Sequence, residues 1–279
     1  MKFNVIFLGL LMGFISNVVS SEESQGFSFS ILSNDYCQQL LAEGVITNNN
    51  PVPCERLRRI NFSYLDESSK IKHDGEWVVL DVLAPKVVAL TKKLLEQKFI
   101  IFNAKPIEDY NGDDQLSMAD NNSSSFNGRA ITGGSSWSLH AYGAAIDINP
   151  VQNPFIEIDA DGTARISPIK SARYAVNRLN QRPGKLPRLG MAEDVVDTFA
   201  QFGFFIWGGD WNYPIDYQHF QVGPRSFVGT LVAMEPHKAE VLLDKYISMY
   251  LSCKQNRQSD LEQRKVRAEC AGRVIAEMR

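Results

Sequence analysis

The chain has 279 residues, 44% of them hydrophobic and 22% charged, with a net charge of -3. That length and apolar content supply a proper core for one large domain or two modest ones, and they exclude a disordered chain. The mild negative balance excludes a sequence-wide attraction to nucleic acid.

Met1-Lys2 gives a short positive start, and Val5 to Val19 is almost entirely apolar. Small Ser20-Ser21 follow before the acidic Glu22-Glu23, which is the layout of a secretory leader over 1–20. The apolar run is too short and too poorly flanked on its far side to favour a stable membrane span. Export makes the four cysteines readable as two disulfides. Cys37 and Cys54 are 17 residues apart, as are Cys253 and Cys270, so local pairing is the simplest of three connectivities. Sequence does not choose among them.

Residues 21–70 read as an N-terminal extension, with Asn48-Asn49-Asn50-Pro51 and Pro53 as breakers. Trp77 to Leu83 reads as a strand or buried run. Pro85 opens a helix whose apolar stripe is Val87, Val88, Leu90, Leu94 and Leu95. Phe99 to Phe102 reads as a buried strand. The polar stretch from Asp109 to Ser136 is long enough to predict a functional loop, taken as a wall of the substrate site.

Ala144 to Asn149 alternates as a strand, with Ile146 and Ile148 on one side and Ala145, Asp147 and Asn149 on the other. A Pro- and Gly-punctuated insertion fills about 151–189, within which Asp159-Ala160-Asp161-Gly162 is a turn rather than a calcium loop. Met191 to Phe202 reads as a helix with Val195, Val196 and Phe199 inward, ended by Gly203, and Phe204 to Trp207 as the next strand. His219 to Val222 reads as a short strand. A helix from about Lys238 to Cys253 is expected to continue, charged, to Arg279, so that 236–279 forms a C-terminal helical segment.

The chemistry concentrates in two stretches. Asp147, on the small-residue face of its strand, needs a partner to offset desolvation, and a metal cation is such a partner. Gly143 permits a sharp turn that folds His140 back toward it. Further on, Gly208-Gly209 gives a bend, Trp207 and Trp211 give aromatic walls, and Asp216 precedes His219 by three. Two imidazoles and one carboxylate favour zinc over magnesium or calcium. Asp216 is then placed as general base. His73 and His237 are read as structural or surface residues.

Ser138-x-His140-x-x-Gly143-x-Ala145-x-Asp147, with Trp207-Gly-Gly-Asp-Trp211 and Asp216-x-x-His219-Phe220, resembles the D-alanyl-D-alanine carboxypeptidase and L-alanyl-D-glutamate endopeptidase family of bacterial zinc peptidases. The resemblance implies an α+β, hedgehog/DD-peptidase-like fold, in which a small antiparallel sheet flanked by helices carries a Zn2+ site. It places the catalytic domain at 71–235. It makes His140, Asp147 and His219 the zinc ligands and Asp216 the catalytic base. Arg129 falls at the family's arginine, for a substrate carboxylate or the scissile carbonyl, and Ser138 positions substrate or the first ligand. The implied substrate is the stem peptide of peptidoglycan, in the periplasm or outside a bacterial cell. Asp216 leans the expected bond toward L-alanyl-D-glutamate. A D-alanyl-D-alanine carboxypeptidase or dipeptidase and a non-catalytic, wall-binding zinc module remain open at this point.

Overall fold

The computed structural model describes residues 26–131, 133–257 and 263–279; the expected secretory leader lies outside them. Among the described residues no helix is long and apolar enough to cross a membrane. The order begins with β1 (Phe27–Ile31), α1 (Asn34–Ala42), β2 (Leu57–Leu65), β3 (Ile71–Leu80) and α2 (Ala84–Glu96). It continues through α3 (Asp114–Ala119), β4 (Ala145–Asp147), β5 (Phe155–Ile158), β6 (Ala164–Ser167), α4 (Ala172–Ala175) and α5 (Val196–Gln201). It closes with β7 (Ile206–Trp207), β8 (Ile215–Asp216), β9 (His219–Gln221), α6 (Arg225–Ala233), α7 (Pro236–Gln255) and α8 (Gln263–Glu277). Helices and small antiparallel sheets make this an α+β chain.

Among the described residues three three-stranded sheets form, ordered β1-β2-β3, β4-β9-β7 and β6-β5-β8. The first is the foundation. Ile60, Phe62, Trp77 and Val79 are buried on it, and α2 lies across it through Val87, Leu90 and Leu94, the inner part of the expected stripe. One apolar core then runs from Leu32 to Met278. A boundary at residue 70 is therefore corrected: β2 and β3 pair along almost their whole length, so the supposed extension and the catalytic segment share one sheet. Arg56 ties the same segment to the C-terminal helices. Its Nε lies 2.6 Å from Asp81 Oδ2, and its Nη1 donates to the carbonyls of Val232 and Met234 at the end of α6.

Several local readings change. Asp81–Leu83 is a 3-10 turn rather than strand. Phe99 to Phe102 is buried or half-buried but makes one isolated bridge, Leu65 to Ile100, instead of a ladder. The helix expected over 191–202 is split at Val195 between a 3-10 turn, Ala192–Asp194, and α5. Only Ile206–Trp207 of the following run pairs as strand. The tail does not continue α7 to the C-terminus. Instead α8 folds back antiparallel, with Cys270 bonded to Cys253 and Tyr246 Oη donating to the Glu277 carbonyl. Both disulfides are the local pairs, each closing a loop worth about 3 kcal/mol against the unfolded chain.

Arg56 is the cleanest probe of this integration. Its removal strands the Asp81 carboxylate, 5% exposed, and three helix-end carbonyls. Arg56→Leu is expected to lower unfolding free energy by about 3 kcal/mol in urea titration, against well under 1 kcal/mol for a separable extension.

Candidate metal centre

The site is assembled by strand register. In the β4–β9 pair, Ala145 faces Gln221, Ile146 faces Phe220 and Asp147 faces His219. Opposed residues project to the same side of a sheet. Ile146 and Phe220 therefore go down into the core, both fully buried. Asp147 and His219, 72 residues apart, come up together.

His140 reaches them from a 3-10 turn, Leu139–Tyr142. Ser138 caps that turn, its Oγ accepting from the His140 amide at 3.3 Å. Gly143 ends it at φ 62°, where a Cβ would lie 2.6 Å from the Leu80 amide nitrogen. Only glycine allows the turn to press onto β3 so closely. The polar stretch pays in structure here: Ser124 exchanges backbone hydrogen bonds with Asp147, and Asn127 N donates to the His140 carbonyl.

His140 Nε2, Asp147 Oδ1 and His219 Nδ1 converge. Nε2 to Oδ1 is 3.2 Å, Nδ1 to Oδ1 is 3.0 Å, and the two nitrogens are 3.2 Å apart. Bonds of about 2.1 Å to a tetrahedral ion place donors about 3.4 Å apart, so the cradle fits a small divalent cation. The outer nitrogens are already committed. His140 Nδ1–H donates to the Ser125 carbonyl, and His219 Nε2–H donates to Gln221 Oε1 at 2.9 Å. Gln221 is oriented in turn by its amide donating to the Gly223 carbonyl. In the neutral form of each imidazole both inward nitrogens thus present lone pairs, the arrangement that a metal-binding histidine needs. Two imidazoles and one carboxylate suit zinc better than an all-oxygen ion.

The electrostatics agree. Burial opposes ionisation of Asp147, but His140 and His219 outweigh it and hold the carboxyl well below its usual range. Burial likewise disfavours charged His219, yet Asp147 and, further off, Asp216 hold it above its ordinary value. Asp216 goes the other way: burial and then repulsion from Asp147 push it up to about 7, against the pull of His219, the Gln218 side chain and Arg129. Its Oδ1 is closed to solvent and has no hydrogen-bond partner among the described residues.

These groups line a cavity of about 750 Å³. Arg129, paired with Asp114 of α3, stands in one wall with Ser138 and Met118. The insertion supplies the opposite wall: β5 and β6 place Glu157, Arg165 and Ser167 there. The same hairpin fixes Asp216, because β5 pairs with β8, Phe155 opposite Asp216. Gly208 also touches this strand, and a Cβ there would meet the Asp216 carbonyl at 2.4 Å. Trp211 lines the cavity with its ring centroid 5.3 Å from that of His219. Trp207 is corrected as an aromatic wall. It is 8% exposed and packs on Phe220 and Tyr217, its indole N–H donating to the Tyr217 carbonyl, so it braces β9 from beneath.

Reading along the sequence missed Ser125, Gln221, Asp114 and the Glu157–Arg165 wall. Gln221 was findable, since period-two alternation puts it on the face of His219. Ser125 was not, because only its carbonyl takes part. His73 and His237 lie exposed and away from the centre, His73 Nδ1 bonding Ser63 Oγ.

Residues 132–222 match a protein-family model described as D-alanyl-D-alanine carboxypeptidase. That span holds His140, Asp147, Asp216 and His219, while Arg129 precedes it. No curated protein and no solved structure matches the chain.

A cation must displace the proton that Asp147 and Asp216 favour on His219. Zinc affinity is therefore expected to fall as pH drops through the raised imidazole pKa. Calorimetric titration with zinc in two buffers of different ionisation heat should show proton release, larger at pH 6.5 than at pH 8.5. Equal heats in both buffers at both pH values would contradict it.

Proposed function

We propose that the chain is an exported zinc peptidase that hydrolyses the stem peptide of bacterial peptidoglycan. The family match and the three-donor cradle support a peptidase. The apolar leader and the paired cysteines support export. The observation that carries the catalytic reading is Asp216, an acid beside the cradle but outside its donor set, with an unpartnered oxygen. A purely structural cradle has no use for such a group, and leaving it unpaired is costly.

Zinc in this cradle supplies Lewis acidity toward a peptide carbonyl and acidifies a water molecule. Asp216 accepts the proton released by the attacking water and delivers it to the departing amine. Its elevated pKa suits both halves of that exchange, because the carboxyl both takes and gives a proton near neutrality. Arg129 offers a planar fork to a substrate carboxylate or to the developing oxyanion. Ser138 keeps the His140 turn in place, and Trp211 gives an apolar wall. Asp at position 216, together with the Trp-Gly-Gly-Asp-Trp run, favours the bond between L-alanine and D-glutamate. The description of the matching family favours release of a terminal D-alanine. Mass spectrometry of products from defined muropeptides, with and without chelator, separates the two. Intact substrates under all conditions would remove both and favour a binding module.

Asp216→Asn keeps the shape of the side chain and removes the base. Turnover is expected to fall about a thousandfold or more while one zinc per chain is retained. The same change reports on linkage. A raised carboxyl pKa costs the metal-free fold nothing below the unfolded value, an increasing amount as pH climbs toward about 7, and a constant amount above. Metal-free Asp216→Asn should therefore gain more in melting temperature over wild type at pH 8 than at pH 5. Gly208→Ala, which pushes β8 away, should lower kcat about a hundredfold with zinc content unchanged.

A further inference from the structure

The insertion does more than wall the cleft. From Gly162 to Gly190 the chain has seven Lys or Arg residues and no Asp or Glu, although the whole protein is net negative. Five of the fourteen large apolar side chains that the described residues expose also fall between 169 and 189. Four of them, Val176 at 74%, Leu179 at 60%, Leu186 at 86% and Leu189 at 50%, belong to one small loop.

That loop is built and anchored. Arg188 N donates to the Asn180 carbonyl and Arg188 Nη1 to the Asn177 carbonyl, closing the loop, while Lys185 N donates to Arg182 O at its tip. Arg178 is its anchor. It is paired with Glu193 at 2.7 Å, donates to Asn153 Oδ1, and lies 4.2 Å over the Tyr217 ring. The exposed leucines are therefore held outward by a pinned backbone. Among the described residues, Arg173, Arg182, Lys185 and Arg188 have no carboxylate within ion-pair distance. Arg188 instead lies among like charges: burial and then the neighbouring Arg182 push its guanidinium below its ordinary value.

We propose that this loop is a docking surface for an anionic lipid bilayer. The cations meet the headgroups, and Leu179, Leu186, Val176 and Leu189 enter the boundary of the acyl chains. Charge complementarity alone also admits an anionic wall polymer. Such a polymer offers no apolar phase, and protruding aliphatic side chains gain nothing from it, so the combination selects lipid. The same insertion carries the Glu157–Arg165 wall, so docking through it holds the cleft beside the membrane. This inference is independent of the peptidase reading.

Co-sedimentation of the full chain with vesicles tests it. Vesicles are either pure phosphatidylcholine or equal parts phosphatidylglycerol and phosphatidylcholine, and a parallel arm measures binding to soluble polyphosphate. The variants are Arg182→Gln/Lys185→Gln and Leu179→Ser/Leu186→Ser; the apolar leader is common to all, so differences report the loop. Wild type should partition to the anionic vesicles and lose this at high salt. The cation pair should weaken partition about thirtyfold and the leucine pair about tenfold, at unchanged melting temperature. Binding to polyphosphate as tight as to vesicles, insensitivity to the leucine pair, or equal partition to both vesicle types would each overturn the proposal. Absence of vesicle binding would overturn it as well.

Discussion

A carboxylate taken out of water must meet positive charge, and here Asp147 meets it only where two segments far apart in sequence are brought into register. β4 and β9 are three residues long, yet their pairing sets the whole site. A slip of one residue would send Asp147 and His219 into the core and bring Ile146 and Phe220 to the surface. The apolar partners therefore enforce the polar geometry. Phe220 is stacked on Phe199 with centroids 3.9 Å apart and is covered by Trp207, so the strand has one stable setting. Packing beneath the sheet positions the chemistry above it.

The surroundings tighten the same constraint from three sides. The His140 turn sits against β3 through Gly143, and the Ser123–Asn127 stretch clasps both β4 and the imidazole. Asn149 adds a buried hub at the exit of β4, where its amide donates to the carbonyls of Ile100 and Gly190 and its oxygen accepts from Phe102 N. The insertion hairpin extends β8 and fixes Asp216. On the far side, Arg267 of α8 reaches Asp210, between the two tryptophans, at 2.8 Å. The C-terminal hairpin, closed by Cys253–Cys270, thus bears on the loop that carries Trp211.

Much of this was legible because it is local. Period-two alternation around Asp147, the apolar stripe of α2, the Gly203 stop and the paired spacing of the cysteines each depend on a few neighbouring residues. The convergence of His140, Asp147 and His219 was legible because a cradle for a metal restricts residue type as well as spacing. What escaped depended on distant contacts. Phe99–Phe102 has the composition of a strand but pairs at one point only, at the end of β2, since its other backbone partners are the Leu94 carbonyl of α2 and the Asn149 side chain. Trp207 and Trp211 are indistinguishable in sequence, yet β7 turns one into the core and the 3-10 turn after it lifts the other into the cavity. The fold-back of α8 was hidden because a charged helical pattern says nothing about where its turn falls. The domain boundary failed for a related reason: β2 and β3 look separable until they are paired.

The proposed function requires that His140, Asp147 and His219 hold one small cation. Zinc K-edge absorption on the purified chain addresses that most directly, since it counts the metal and identifies its neighbours. One zinc per chain is expected, coordinated by nitrogen and oxygen at about 2.0–2.1 Å with the scattering pattern of two imidazoles, and lost from His219→Ala. Sulfur scatterers, or an unaltered spectrum in His219→Ala, would show that the metal sits elsewhere and that the register of β4 and β9 serves another purpose.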